Sequence, residues 1–164
     1  MDHHTLMMLK LLLLLMVANG APILAQRILK HRWNTPVDGG RLWRDGHRVL
    51  GSSKTWRGLT TGLVSCAIVA GLLGYSVLFG VLFGTLSLLG DLASSFTKRR
   101  LGLAASARAS GLDQIPEALL PMIVAAIWLD FGARVVLLVT ALFTAANILL
   151  SPQLYRWGIR RKPH

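Results

Sequence analysis

The apolar residues of this chain stand in unbroken blocks, not at amphipathic spacing. Blocks of that kind build bilayer-spanning helices. Five are legible: about Leu6 to Leu24, Leu59 to Leu73, Tyr75 to Leu92, Ala118 to Phe131 and Val135 to Leu150. Hydrophobic residues make up 53% of the 164 and charged residues 15%, a balance that soluble domains rarely show. The expectation is an all-α integral membrane protein, one membrane domain over residues 1–164, with loops at 25–58 and 93–117 and a tail at 151–164. The second and fourth blocks are short against the ~20 residues of a spanning helix. Each meets its neighbour through a tight connection, at Gly74-Tyr75 and from Asp130 to Arg134, so both pairs read as helical hairpins.

The first block resembles a secretory signal, with Lys10 before Leu11 to Val17 and small residues from Ala18 to Ala21. Its apolar character continues through Ala25, so a retained helix is expected. Gly20 and Pro22 should kink or interrupt its far end. Asn19 needs a hydrogen-bond partner at membrane depth. Gly58, Gly62, Gly80 and Gly84 stand at small-xxx-small spacing, which permits close helix contact and is also ordinary membrane-helix composition. Cys66, the single cysteine, reads as a buried packing residue, and the five histidines are too scattered for a zinc site.

Charge sets the orientation. With five spans, sixteen of the eighteen Lys and Arg residues fall on one side, in the loops after the first and third helices and in the tail. The other side keeps Lys10 and Arg134. The positive-inside rule makes the basic side cytoplasmic, giving N-out/C-in in the cytoplasmic (inner) membrane. Such loops also attract anionic lipid. No nucleic-acid module accompanies them, so the net charge of +11 does not argue for nucleic acid.

Three loop segments ask for more than topology. TPVDGG places Asp38 before Gly39 and Gly40, a surface turn or a place where backbone N–H groups meet phosphate and a carboxylate meets a metal. GSSKTWRG leads into the second helix with Lys54, Thr55 and Arg57. It lacks the spacing of a Walker loop, and its cations either form an anion site at a helix start or snorkel at the membrane surface. GDLASSFTKRRLG follows the third block. If that helix continues past the interface, Asp91, Ser95 and Lys98 share one face, with Arg99 and Arg100 beside them. Asp91 is an oxygen ligand of the kind Mg²⁺ takes, and the cations suit phosphate. Asp113 and Gln114 precede the fourth block, where Asp113 is a helix cap or a second metal carboxylate. Glu117 favours the helix start.

ANGAPIL, PVDGG, GSSKTWRG, GDLASSFTKRRLG and LDQIPE occur in that order between Asn19 and Glu117. The ordered set resembles the CDP-archaeol synthases, integral-membrane cytidylyltransferases related to CDP-diacylglycerol synthases. The resemblance implies CTP, a lipid phosphate and Mg²⁺ as reactants, and an active site opening to the cytoplasm. It implies Asp91 and Asp113 as metal ligands, with Lys54 and Lys98 beside them in catalysis. Asp38, Gly39, Gly40, Lys54, Thr55, Arg57, Ser95, Arg99, Arg100 and Gln114 would then hold nucleotide and phosphate. A lipid-binding or transport protein, or a lipid kinase, is the competing class. The linker Leu101 to Ser110 is Ala/Ser-rich, where the family resemblance leads one to expect a more structured loop.

Overall fold

Side-chain oxygens set where the first three helices begin. Asp2 accepts from the Thr5 N–H, Thr55 from Gly58 and Ser76 from Phe79, each filling one of the donors that a helix start leaves unpaired. In the computed structural model, which describes residues 2–104 and 112–156, the helices are α1 (His3–Leu29), α2 (Trp56–Leu72), α3 (Val77–Arg100), α4 (Gln114–Leu129) and α5 (Ala133–Arg156). Five helices and an all-α architecture are as expected. Among the described residues the remaining backbone pairing is two isolated bridges, Pro36 with Thr55 and Leu42 with Arg48.

The helix ends differ from the hydropathy bounds. Helix α1 runs past Leu24, uninterrupted at Gly20 and Pro22, and stops where Lys30 turns to a positive φ of 48°. The Pro22 ring instead lies against α2, beside Gly58 and Gly62. Helix α3 runs past Leu92 to Arg100. Its last turns bury Ser94, Ser95, Lys98 and Arg99 against protein, a kind of burial that hydropathy does not register. The described part of the second loop therefore starts later than expected. The linker positions 105–110, including Arg108, fall outside the described residues, as do the tail cations Arg160, Arg161 and Lys162.

Helix α3 is central, packing on α1, α2 and α4, while α5 closes against α4 and α1. The core joins Leu11, Leu14 and Ala18 of α1 with Cys66 and Ala70 of α2, Phe79 and Phe83 of α3, Met122 of α4 and Phe143 of α5. The reading of Cys66 as a packing residue holds. Gly62, Gly80 and Gly84 lie in helix contacts, whereas Gly58 makes only ordinary ones. At Gly80 a Cβ would stand 2.5 Å from the Ala70 Cβ, so only glycine lets α3 approach α2 this closely. Asn19 finds its partners at 3.0 Å, the Leu15 carbonyl and the Ser87 hydroxyl of α3. Large apolar side chains cover the outside, with Leu72 80% and Ile127 79% exposed. Among the described residues three helices, α1, α3 and α5, are long and apolar enough to cross a membrane, and α2 and α4 are shorter apolar helices of 17 and 16 residues. At the far end from the site, Lys10 donates to the Leu73 carbonyl at 2.8 Å and so ties α1 to the α2–α3 turn.

Candidate active site where α2, α3 and α4 meet the long loop

The loop between α1 and α2 is built around Asp38. Its carboxylate accepts from the backbone N–H groups of Gly40, Leu50 and Gly51 at 3.0, 3.1 and 2.9 Å, and from the Arg48 guanidinium at 2.5 Å. The side chain has no solvent exposure. Burial alone would raise this carboxyl, but Arg48 and the Gly51, Gly40 and Leu50 amides outweigh it and hold it well below the usual carboxylate range. Of the two readings of TPVDGG, these contacts give Asp38 the structural one, holding the turn closed. The Gly40 N–H serves Asp38, and the Gly39 N–H donates to the Pro36 carbonyl. The two glycines are still required by their conformation, with φ of +56° and +83°.

A depressed carboxyl contributes stability that is complete above its ordinary value of 3.8 and is lost as pH falls through the folded value. Thermal unfolding should therefore hold a level midpoint between about pH 5 and 8 and fall steeply below about pH 4. In Asp38→Asn the loss should already be present at pH 7, by about 3 kcal/mol, since Arg48 and three amides lose an anionic partner.

Two other expected phosphate groups in this region are also engaged elsewhere. Thr55 is the cap of α2. Arg57 is buried, and its guanidinium donates to the Lys30 and Arg32 carbonyls at 3.1 and 2.5 Å and to Asn34 Oδ1 at 3.2 Å. It braces the end of α1.

Lys54 does reach the site. Its ammonium stands 2.6 Å from both oxygens of Asp91, on α3. Because α3 continues, Asp91, Ser95 and Lys98 fall on one face as the spacing predicts. Lys98 in turn lies 2.5 Å from Asp113 Oδ1, at the start of α4. Asp113 occupies the cap position of α4 without a side-chain cap hydrogen bond, so of the two readings left open it is not a cap. Gln114 is the first residue of α4 and half-buried. Gly90 lets the start of α4 sit directly on α3 beside these pairs.

The last two cations of the motif hold neighbouring loop segments. Arg99 donates to the Ala104 carbonyl at 2.8 Å. Arg100 bonds Asp45 at 2.9 Å and the Arg48 carbonyl at 2.7 Å. Sequence reasoning overlooked Arg48, Asp45 and Trp43, although Asp45-Gly46 is a strong hairpin-turn signal. Among the described residues no three His, Cys, Asp or Glu side chains gather as a metal site. Two carboxylates on neighbouring helices suit a hard cation that takes its other ligands from phosphate and water.

Five apolar helices with paired carboxylates and lysines at one end define an integral membrane protein with an ionic site at its polar edge. The CarS-like family model, described as CDP-archaeol synthase, matches residues 5–81 and 71–163. The chain belongs to this family, as the ordered motifs suggested. It is 42% identical over 110 residues to the CDP-archaeol synthase of Thermococcus gammatolerans, in an alignment covering 60% of each chain. Against that of Methanosphaerula palustris it is 36% identical over 140 residues, covering 74% of this chain and 80% of the relative. A solved intramembrane enzyme for archaeal membrane lipids biosynthesis superposes with a TM-score of 0.74 at 30% identity, covering 86% of this chain and 90% of that one. The match to the Thermococcus relative thus spans about 60% of its length.

Proposed function

We propose that this protein is a CTP-dependent cytidylyltransferase that converts a membrane lipid phosphate to CDP-lipid and pyrophosphate. The observation that carries this reading is the double pairing on α3, Lys54 with Asp91 and Lys98 with Asp113. The name of the family and of its relatives supports an archaetidic-acid-like substrate, with phosphatidic acid as the ester-linked counterpart. The charge asymmetry supports N-out/C-in and a site open to the cytoplasm, where CTP is found.

Both substrates are polyanions, so each lysine has a phosphate to turn to. Lys54 and Lys98 exchange their carboxylate partners for CTP phosphates. Asp91 and Asp113 are the residues that would hold Mg²⁺. When bound, the ion supplies charge neutralisation on the reacting phosphates. The lipid-phosphate oxygen attacks the α-phosphorus of CTP. A new P–O bond forms as the bond from the α-phosphorus to the β-phosphate bridging oxygen breaks, and pyrophosphate leaves with the electron pair. Lys54 and Lys98 stabilise the charge gathering on that leaving group. No protein base is needed, because a lipid phosphate is already anionic near neutral pH. Arg57, Arg99 and Arg100 take no phosphate in this scheme.

The reading is tested by incubating purified protein with archaetidic or phosphatidic acid and either α-labelled CTP or γ-labelled ATP. Label moving from CTP into lipid, with release of pyrophosphate, is expected. Label moving from ATP would make the protein a lipid kinase. No turnover with either nucleotide would leave a lipid-binding or transport protein.

A further inference from the structure

Arg100 ends α3, and its guanidinium turns back onto the loop that precedes α2. One terminal nitrogen meets Asp45 Oδ1 at 2.9 Å, and the other meets the Arg48 carbonyl at 2.7 Å and the His47 carbonyl at 3.5 Å. The charge lies 4.9 Å from the Phe96 ring centroid and 5.7 Å from that of Trp43. Those two rings meet edge-on at 5.4 Å. Apart from Phe96, every one of these partners belongs to a single hairpin. It is closed by hydrogen bonds from Trp43 N–H to the His47 carbonyl and from Val49 N–H to the Arg41 carbonyl.

The hairpin is coupled to the site through Asp38. Arg48, within the hairpin, holds the Asp38 carboxylate. Asp38 also fixes the Leu50 and Gly51 amides just beyond it. The Val37 N–H then donates to the Lys54 carbonyl at 2.8 Å, which sets where the Lys54 side chain starts. That side chain ends on Asp91, on the same helix as Arg100. Helix α3 thus grips the loop twice, once at Arg100 and once at Asp91.

We infer that Arg100 is a positioning residue that seats this loop so that Lys54 reaches Asp91, and that it does not bind phosphate. The inference rests on the proposed reading of the Lys54–Asp91 pair as the CTP site. Arginine recognises phosphate by presenting two donors side by side. Arg100 commits both terminal nitrogens to the loop, and its Nε is enclosed by protein.

The two roles differ in the sign of one effect. If Arg100 held phosphate, Asp45→Ala would remove a competing anion, and CTP would bind equally well or more tightly. If Arg100 positions the loop, Asp45→Ala weakens CTP binding by up to about 5-fold, the scale of a partly exposed ion pair. Arg100→Ala weakens it by about 10-fold or more, because charge-assisted bonds to two groups go together. Arg100→Lys keeps the charge but not the fork and recovers little. The double variant is no weaker than Arg100→Ala alone, since both changes cut one link.

CTP binding in the presence of Mg²⁺ is measured by calorimetry on the purified full chain in detergent, beside steady-state KM values. The KM for CTP is expected to rise while that for the lipid phosphate holds, a split that general destabilisation does not produce. Trypsin gives a readout independent of chemistry, through faster cleavage at Arg41, Arg44 and Arg48 in both single variants. Unchanged or tighter CTP binding by Asp45→Ala, in a wild type that binds CTP, overturns the inference alone. A wild type that neither binds CTP nor makes CDP-lipid overturns the functional reading on which it rests.

Discussion

Asp91→Asn should lower CDP-lipid synthesis by about 10³-fold or more while the bundle stays folded. Asparagine preserves the volume and one acceptor, so α3 and its neighbours have no steric reason to move. What disappears is the charge. Both Asp91 oxygens lie 2.6 Å from the Lys54 ammonium, and an amide can offer that cation only one weak partner. A hard divalent ion would also lose one of the two carboxylates proposed to hold it. The defect should therefore appear in turnover and in metal affinity together. Lys54→Met, which leaves both carboxylates, should instead raise the KM for CTP more than it lowers turnover. Mn²⁺ binding followed by electron paramagnetic resonance provides the check outside activity, and Asp91→Asn and Asp113→Asn should each weaken it. Full Mg²⁺-dependent synthesis by either variant would sink the metal assignment.

The existence of five helices was legible because each presents exposed large apolar side chains, which hydropathy registers. The helix ends were not, because they depend on protein contacts. Helix α3 outruns its apolar block since Ser94, Ser95, Lys98 and Arg99 are buried on neighbouring chain. That extension is what places Asp91 and Lys98 on one face, so the conditional reading of the motif was realised. The motifs marked a set of cations without separating their contacts. Lysine and arginine are alike as charges, yet Lys54 and Lys98 each pair with one carboxylate, while Arg57, Arg99 and Arg100 each reach backbone carbonyls, Arg100 holding Asp45 as well. A compact ammonium can leave one anion for another, whereas a fork of donors can hold several fixed acceptors at once. The structural contacts of Asp38 were hidden for a related reason. Its partners Arg48, Leu50 and Gly51 become neighbours only when the loop closes, and nothing local to PVDGG announces that.

The other large effect needs no change of charge. Gly90→Ala should cut activity by about 10²-fold, through the placement of α4. A Cβ at Gly90 would stand 2.3 Å from the Pro116 carbonyl oxygen, 2.5 Å from its carbon and 2.6 Å from the Glu117 nitrogen. All three are backbone atoms, so no rotamer change relieves the clash, and α4 must shift bodily. Alanine favours a helix interior over glycine by about 1 kcal/mol, which overpacking of about 1–3 kcal/mol offsets or exceeds. Stability should thus fall little, while Asp113, at the start of α4, is carried away from Lys98 and from the face that bears Asp91. Gly20→Ala is the matched control, since a Cβ there meets nothing within 4 Å. It should leave both activity and the thermal midpoint at or above wild type. Gly90→Ala that retained activity within about 2-fold would mean that the reaction tolerates a displaced Asp113, well below the ~10² cost of a 1 Å misplacement. The two-helix metal site would then have to be abandoned in favour of Asp91 acting with Lys54 alone.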